Sequence, residues 1–413
     1  MSFLSKALFT LSVIILFLFV EFLFRIYSPP LSRFEEVLVL LEQDPALLWK
    51  QRKYLNVNFQ GVKVVTNSSG LRDDTGSISL KKSAFRIVCL GESSTFGWGV
   101  PFDECYPAQL EKALKDRFPG KKFEVINAGQ IGYSSYQGLI FLRNYILKYR
   151  PDVVTVPYLI NDIDRYRFFR SNGMSDKELP EPNPLLIYLK NALSNSRIYN
   201  QLNDLLLLNN KKKDDAAALK KLLKYSKVRV EPIDYRDNLE TIYKLCKQRN
   251  IKIVFLKMPM NFKLDSPSEA EKNIFNFTLA KAISYFDSKE YNQARKELNT
   301  ALKYNPFSSK AHYYLGLCCD INRNPGEAAA AFKKAWDYQI YDVAEDFNTY
   351  GKIMEGVARQ YNAPLVNMSD IFSIKNDLNL FDNPRDYIHP NAMGHRIIAD
   401  ELCDTFLKNK LIN

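Results

Sequence analysis

Histidine is scarce in this chain of 413 residues, occurring only as His312, His389 and His395. There is no Cys-x-x-Cys pair, and the six cysteines stand at the irregular positions 89, 105, 246, 318, 319 and 403. Neither the ligand spacing of a zinc site nor a disulfide framework is present. No metal is expected, and the cysteines read as small buried hydrophobes that leave the redox compartment open. No nucleic-acid-binding motif accompanies the basic balance, in which Lys plus Arg exceed Asp plus Glu by 57 to 46 for a net charge of +11. That excess suits anionic membrane surfaces or acidic glycans as much as nucleic acid. The run "KKKDD" at 211–215 mixes both signs and reads as a solvated face.

What is plentiful is apolar residue. At 46% hydrophobic and 13% aromatic the chain can bury at least one large core, and its length suggests two or three domains. The stretch "ALFTLSVIILFLFVEFLF", Ala7 to Phe24, is almost continuously apolar and near the minimum for a membrane-spanning helix. Its one charge, Glu21, lies a helical turn before Arg25 and is expected to pair with it at the membrane interface. A cleaved signal peptide is the competing reading, but "RIYSPPLSRF" offers no convincing small-x-small cleavage site, which favours an uncleaved anchor over residues 1–30. Lys6 on one side and Arg25 and Arg33 on the other leave the orientation open. Residues 31–84 read as a β-rich lead-in, with turn signals at "NSSG".

Five apolar runs follow: "FRIVCLG" (85–91), "FEVINAG" (123–129), "DVVTVPYL" (152–159), "IKIVFLK" (251–257) and "PLVNMSD" (364–370). Separated by segments of helical composition, they predict a parallel sheet covered by helices on both faces. In such sheets ligands bind beyond the carboxyl ends of the strands. There the first run gives Ser93 in "LGESSTFGWGV", the second Gly129 and Gly132 in "NAGQIGYS", and the third Asn161 and Asp162 in "INDID". After the fifth the chain reaches "RDYIHPNAMGH", with Asp386 and His389 three apart. The other hydrolase signature, Gly-x-Ser-x-Gly, is not met, because Thr95 stands two residues after Ser93.

These four blocks, in this order and at strand ends, resemble the SGNH or GDSL-type superfamily of esterases and acyltransferases, over roughly residues 85–260 and 346–405. The resemblance implies a flavodoxin-like three-layer α/β/α sandwich around a five-stranded parallel sheet. It implies Ser93 as nucleophile, His389 as base and Asp386 as the residue orienting it. It also implies an oxyanion hole from the Ser93 and Gly132 N–H groups and the Asn161 side-chain amide; Gly129 competes with Gly132, and the spacing from Asn127 favours Gly132. No cofactor is implied. The chain departs from the family in "GES" for Gly-Asp-Ser, and in "LIND", where Leu159 replaces a glycine. The residue types suit acyl transfer: a serine hydroxyl needs a base, histidine is the side chain best tuned to that, and an aspartate can fix the imidazole tautomer.

Between the fourth and fifth runs lies an internal repeat. Ala282 matches Gly316, Ala294 matches Ala328, Leu298 matches Phe332 and Ala301 matches Ala335, every offset being 34. The period resembles the tetratricopeptide repeat. Two repeats are few for a solenoid, so the pair is expected to pack on flanking helices such as "SPSEAEKNIFNFTLAK" and "AEDFNTYGKIMEGVARQ". The insertion, at 264–345, reads equally as a surface binding a partner or the substrate rim and as a helical lid or spacer without a ligand, and 166–235, with the Lys-rich "AALKKLLKYSKVRV", as a second, helical insertion over the sheet's active edge, a candidate lid or acyl-chain groove. The hydrolase domain thus comprises 85–263 and 346–413. The expected protein is a membrane-anchored serine esterase or O-acyltransferase acting on an acyl ester, plausibly acetyl, of a glycan or lipid. By family analogy its catalytic part faces away from the cytoplasm. The contrasting reading is a non-catalytic scaffold whose repeats bind a partner in a membrane complex.

Overall fold

A computed structural model describes residues 3–27, 37, 39–74, 78, 80, 82–164, 174–179, 183–193, 196, 198–199, 228–261, 268–375, 379–382 and 388–412. Asp386, the "KKKDD" run and nearly all of the Lys-rich segment lie outside them.

The chain opens with helix α1, Phe3–Tyr27, whose Leu8, Phe9, Ile15, Leu16 and Phe22 are exposed. Among the described residues no helix is long and apolar enough to cross a membrane. The expected transmembrane helix is therefore not shown. Glu21 is buried, and its carboxylate accepts from Ser196 Oγ at 2.9 Å and from the Ile198 amide at 3.2 Å. These bonds tie α1 to a segment far along the chain; the Arg25 side chain, and with it the expected pairing, lies outside the described residues.

The lead-in forms two antiparallel hairpins, β1 (Leu41–Asp44) with β2 (Leu48–Gln51) and β3 (Asn56–Phe59) with β4 (Val62–Val65). Then come the five parallel strands β5 (Phe85–Gly91), β6 (Phe123–Gly129), β7 (Val153–Val156), β8 (Lys252–Lys257) and β9 (Leu365–Asn367), in spatial order β6-β5-β7-β8-β9. Alternation along β5 shows both faces buried. Val88 and Leu90 point into a core with Ile126, Val154, Phe255 and the lead-in residues Trp49, Phe59 and Val64. Ile87 and Cys89 point into another with Leu110, Val125, Val254, Leu402 and Phe406. Helices Ser135–Phe141, Pro232–Lys247 and Gln339–Gln360 cover the first face, and Tyr106–Arg117 and Ala392–Lys408 the second. The predicted three-layer sheet is present.

Two strands are shorter than their apolar runs. Pro157, which has no N–H to donate, follows the last residue of β7. Asn367 ends β9 by capping a helix over Met368–Ile374, its side chain accepting from the Asp370 amide.

The repeat folds as four helices, Glu269–Asp287, Tyr291–Tyr304, Ser309–Ile321 and Pro325–Asp337. Ala282, Ala294, Leu298 and Ala301 are buried in one of its cores, and Ala328, Phe332 and Ala335 in another, both separate from the sheet's. The segment expected as a flanking helix before the repeat is continuous with the first repeat helix, because Ser268 starts it with a capping box to Glu271 and nothing interrupts it before Asp287.

Candidate active site

β5 leads into a one-turn helix, Ser93–Phe96, and the residue that starts it is Glu92. A glutamate carboxylate can satisfy an orphan N–H of a first turn, and Glu92 Oε2 accepts from the Ser94 amide at 2.9 Å. The same oxygen lies 2.8 Å from Ser93 Oγ. On the other side Ser93 Oγ stands 2.8 Å from His389 Nε2. Two residues 296 positions apart are thus in hydrogen-bond contact, in a site where Ser93 is 6% and His389 8% exposed.

The turn after Ser93 also holds the histidine. The Trp98 indole stacks on the His389 ring with centroids 4.8 Å apart and planes 8° from parallel. Ser94 Oγ donates to the Ile388 carbonyl at 3.0 Å, and the His389 carbonyl accepts from the Asp382 amide at 3.0 Å. Ring and backbone are therefore both fixed from outside. Trp98 Nε1 is buried and has no hydrogen-bond partner among the described residues.

The second wall is the loop after β6. Gly129 is required by close approach: a Cβ there would lie 2.2 Å from the Phe96 nitrogen of the one-turn helix. Its N–H is already used, donating to Asn127 Oδ1 at 3.0 Å. Gly132 differs on both counts. It has φ +77°, a left-handed conformation that favours glycine, and its N–H has no acceptor among the described residues. The Gln130 amide donates to the Gly91 carbonyl at 3.0 Å, tying this loop to the end of β5. Asn161, half-buried after β7, donates from Nδ2 to the Tyr133 carbonyl at 3.1 Å, next to Gly132. The structure therefore brings Ser93 to His389 and Asn161 to the Gly132 loop, with the two halves joined through the ends of β5 and β6.

Below this surface lies a buried polar layer. Asp162 accepts from the Ser135 amide and hydroxyl, and burial pushes its carboxyl up to about 7, against the lowering effect of those bonds and of Arg229. His395 is fully buried with Nδ1 accepting from the Tyr106 amide, and burial first, then the charge of Arg72, takes it down to about 3.

Sequence reasoning missed Glu92 as a partner of Ser93 and Trp98 as the stacking face for His389. Both stand in "LGESSTFGWGV", where an acid before the serine and a buried aromatic between two glycines are the visible signal.

Residues 279–337 match the tetratricopeptide repeat family model. Several solved structures are similar to this chain. One is an α/β hydrolase enzyme from the metagenome of Lake Arreo, Spain, at 16% identity, covering 81% of this chain and 99% of that one with a TM-score of 0.38. Another is an acetyl xylan esterase, AlAXEase, at 15% identity, 77% and 98% coverage and a TM-score of 0.37. A third is a lipase/acylhydrolase from Enterococcus faecalis, at 13% identity, 78% and 96% coverage and a TM-score of 0.36. Likenesses at this level carry no argument about chemistry, which rests on the side chains above.

Proposed function

We propose that the protein is a serine esterase or O-acyltransferase with Ser93 as nucleophile. The observation that carries this reading is the 2.8 Å contact between Ser93 Oγ and His389 Nε2 at the carboxyl end of a parallel sheet. Ser93 Oγ attacks the carbonyl carbon of an acyl ester while its proton passes to His389 Nε2. The tetrahedral oxyanion is met by the Ser93 and Gly132 N–H groups and by Asn161 Nδ2. His389 then returns the proton to the departing alkoxide, leaving the acyl group on Ser93, and water or an acceptor hydroxyl attacks in turn to release it. Asp386 is assigned the remaining nitrogen of His389, by its position three residues earlier in the sequence. Glycan or lipid esters, acetyl among them, are the proposed substrates.

The exposed apolar side chains of α1 support attachment to a membrane; the extracytoplasmic side is assigned to the catalytic part by the resemblance to SGNH-type enzymes alone. The tetratricopeptide match supports a second role in binding a protein partner. If a folded wild-type protein reacts with neither ester nor serine-directed probe, the scaffold reading takes the place of the enzyme. The test is hydrolysis of short-chain aryl esters and acetylated sugars by wild type, Ser93→Ala and Asn161→Ala. Ser93→Ala should abolish turnover, and Asn161→Ala should lower kcat by about a hundred- to a thousand-fold with little change in KM. Retained turnover in Ser93→Ala removes the nucleophile assignment.

A further inference from the structure

We propose that Trp49, from the lead-in hairpin, is a positioning residue that aims the Gly132 N–H into the oxyanion site. The inference rests on the enzymatic reading above. The N–H in question belongs to the peptide unit joining Ile131 to Gly132, and the carbonyl of that same unit, Ile131 O, accepts a hydrogen bond from Trp49 Nε1 at 2.8 Å. In a planar trans peptide the C=O and N–H point in opposite directions. Holding the carbonyl against Trp49 therefore holds the amide the other way.

An outside anchor is needed because of the residue type. Glycine adopts positive and negative φ almost equally, so the backbone that permits φ +77° at Gly132 also permits the peptide to turn over. A turned peptide would present a carbonyl where a donor is required. Two features oppose this. Trp49 Cζ2 lies 3.3 Å from where a Cβ on Gly132 would stand, so the indole packs directly against the loop as well as bonding to it. The following carbonyl, Gly132 O, accepts from Arg229 Nη1 at 2.7 Å. Arg229 is buried, bonded to Asp176 and Gln137, and lies over the Trp49 ring at 5.5 Å.

The hairpin is itself fastened to the loop. Tyr133 Oη donates to the Trp49 carbonyl at 2.8 Å, the Gln51 amide donates to Gln130 Oε1 at 3.1 Å, and Gln51 Nε2 donates to the Gly129 carbonyl at 3.1 Å. A segment that precedes the sheet in sequence thus sets the donor geometry after β6.

The test compares full-length wild type with Trp49→Phe, which keeps an aromatic ring against the loop and removes the N–H. The readouts are steady-state hydrolysis of an aryl acetate, inhibition by phenylboronic acid as a tetrahedral mimic, and thermal melting. We expect kcat to fall by about ten- to a hundred-fold, less than for outright loss of a donor. KM should stay within about twofold, and boronate affinity should weaken by the same factor as kcat/KM. If Trp49→Phe fails to fold, 3-benzothienylalanine at position 49 removes the N–H and preserves the bicyclic shape. Wild-type kcat and boronate affinity in a folded variant would overturn the role of Trp49 alone. A raised KM and a lowered melting temperature with wild-type boronate affinity would also overturn it, as the mark of a merely structural residue. A wild type inert toward ester and boronate would overturn the enzymatic reading and this inference with it.

Discussion

Ser93 carries one hydroxyl hydrogen and stands 2.8 Å from each of two acceptors, Glu92 Oε2 and His389 Nε2. With Nε2 unprotonated the hydrogen can pass to the imidazole; with Nε2 protonated it serves Glu92. The acidic residue beside the serine is therefore part of the site: the sequence shows an acid at that position, but not that its carboxylate reaches the serine hydroxyl. Deeper in the same layer, Asp162 gives a pH dependence whose sign follows from its surroundings. Its carboxyl titrates near 3.8 when unfolded and at about 7 when folded. Between those values the folded chain holds a proton that the unfolded chain has released. The contribution is complete below about pH 4, declines as pH rises to about 7, and is flat above. His395 acts in the opposite sense: its folded value of about 3 lies below the unfolded 6.5, so its contribution is lost as pH falls through that window. Asp162→Asn removes only the first effect. Its melting temperature relative to wild type should climb from pH 4 to pH 7 and then level off, as followed by circular dichroism. A difference that is constant across the range would contradict the assignment.

At the scale of elements, the insertion between β8 and β9 is built to stand apart. Its buried alanines and Phe332 form cores of their own, while Phe347, Tyr350, Met354 and Val357, on the helix that returns the chain to the sheet, belong to the sheet's core. Replacing 264–345 with a short flexible linker should therefore leave fluorophosphonate labelling of Ser93 within about twofold of wild type. A folded deletion variant that no longer labels would make the repeats part of the pocket. The strands and the repeat were legible because each is written locally: β5 and β6 as apolar runs ending in glycine, the repeat as small residues recurring at a fixed period. The ends of β7 and β9 were not, because Pro157 and the Asn367 cap act one residue at a time. The clamp on the Gly132 loop was least legible. Trp49 and Ile131 are 82 positions apart, and no periodicity marks an indole as the partner of a distant carbonyl.

Taken as a whole molecule, the protein carries exposed apolar side chains on two helices. α1 exposes Leu8, Phe9, Leu16 and Phe22, and helix Pro184–Leu193 exposes Leu185, Leu186, Tyr188 and Leu189. Glu21 links α1 to Ser196 and Ile198 just beyond that helix. With a net charge of +11, such a surface suits an anionic bilayer. Full-length protein should accordingly stay with membranes through an alkaline carbonate wash, and a variant beginning at Ser32 should not; full-length protein in the soluble fraction would contradict membrane attachment. The central claim, that the turn after β5 presents an activated serine, is tested most directly by labelling the full-length protein with a fluorophosphonate and locating the adduct by peptide mass spectrometry. The expected result is a single adduct on Ser93, absent from Ser93→Ala and strongly reduced in His389→Ala. An adduct elsewhere, or a folded wild-type protein that takes up no label, would contradict the account.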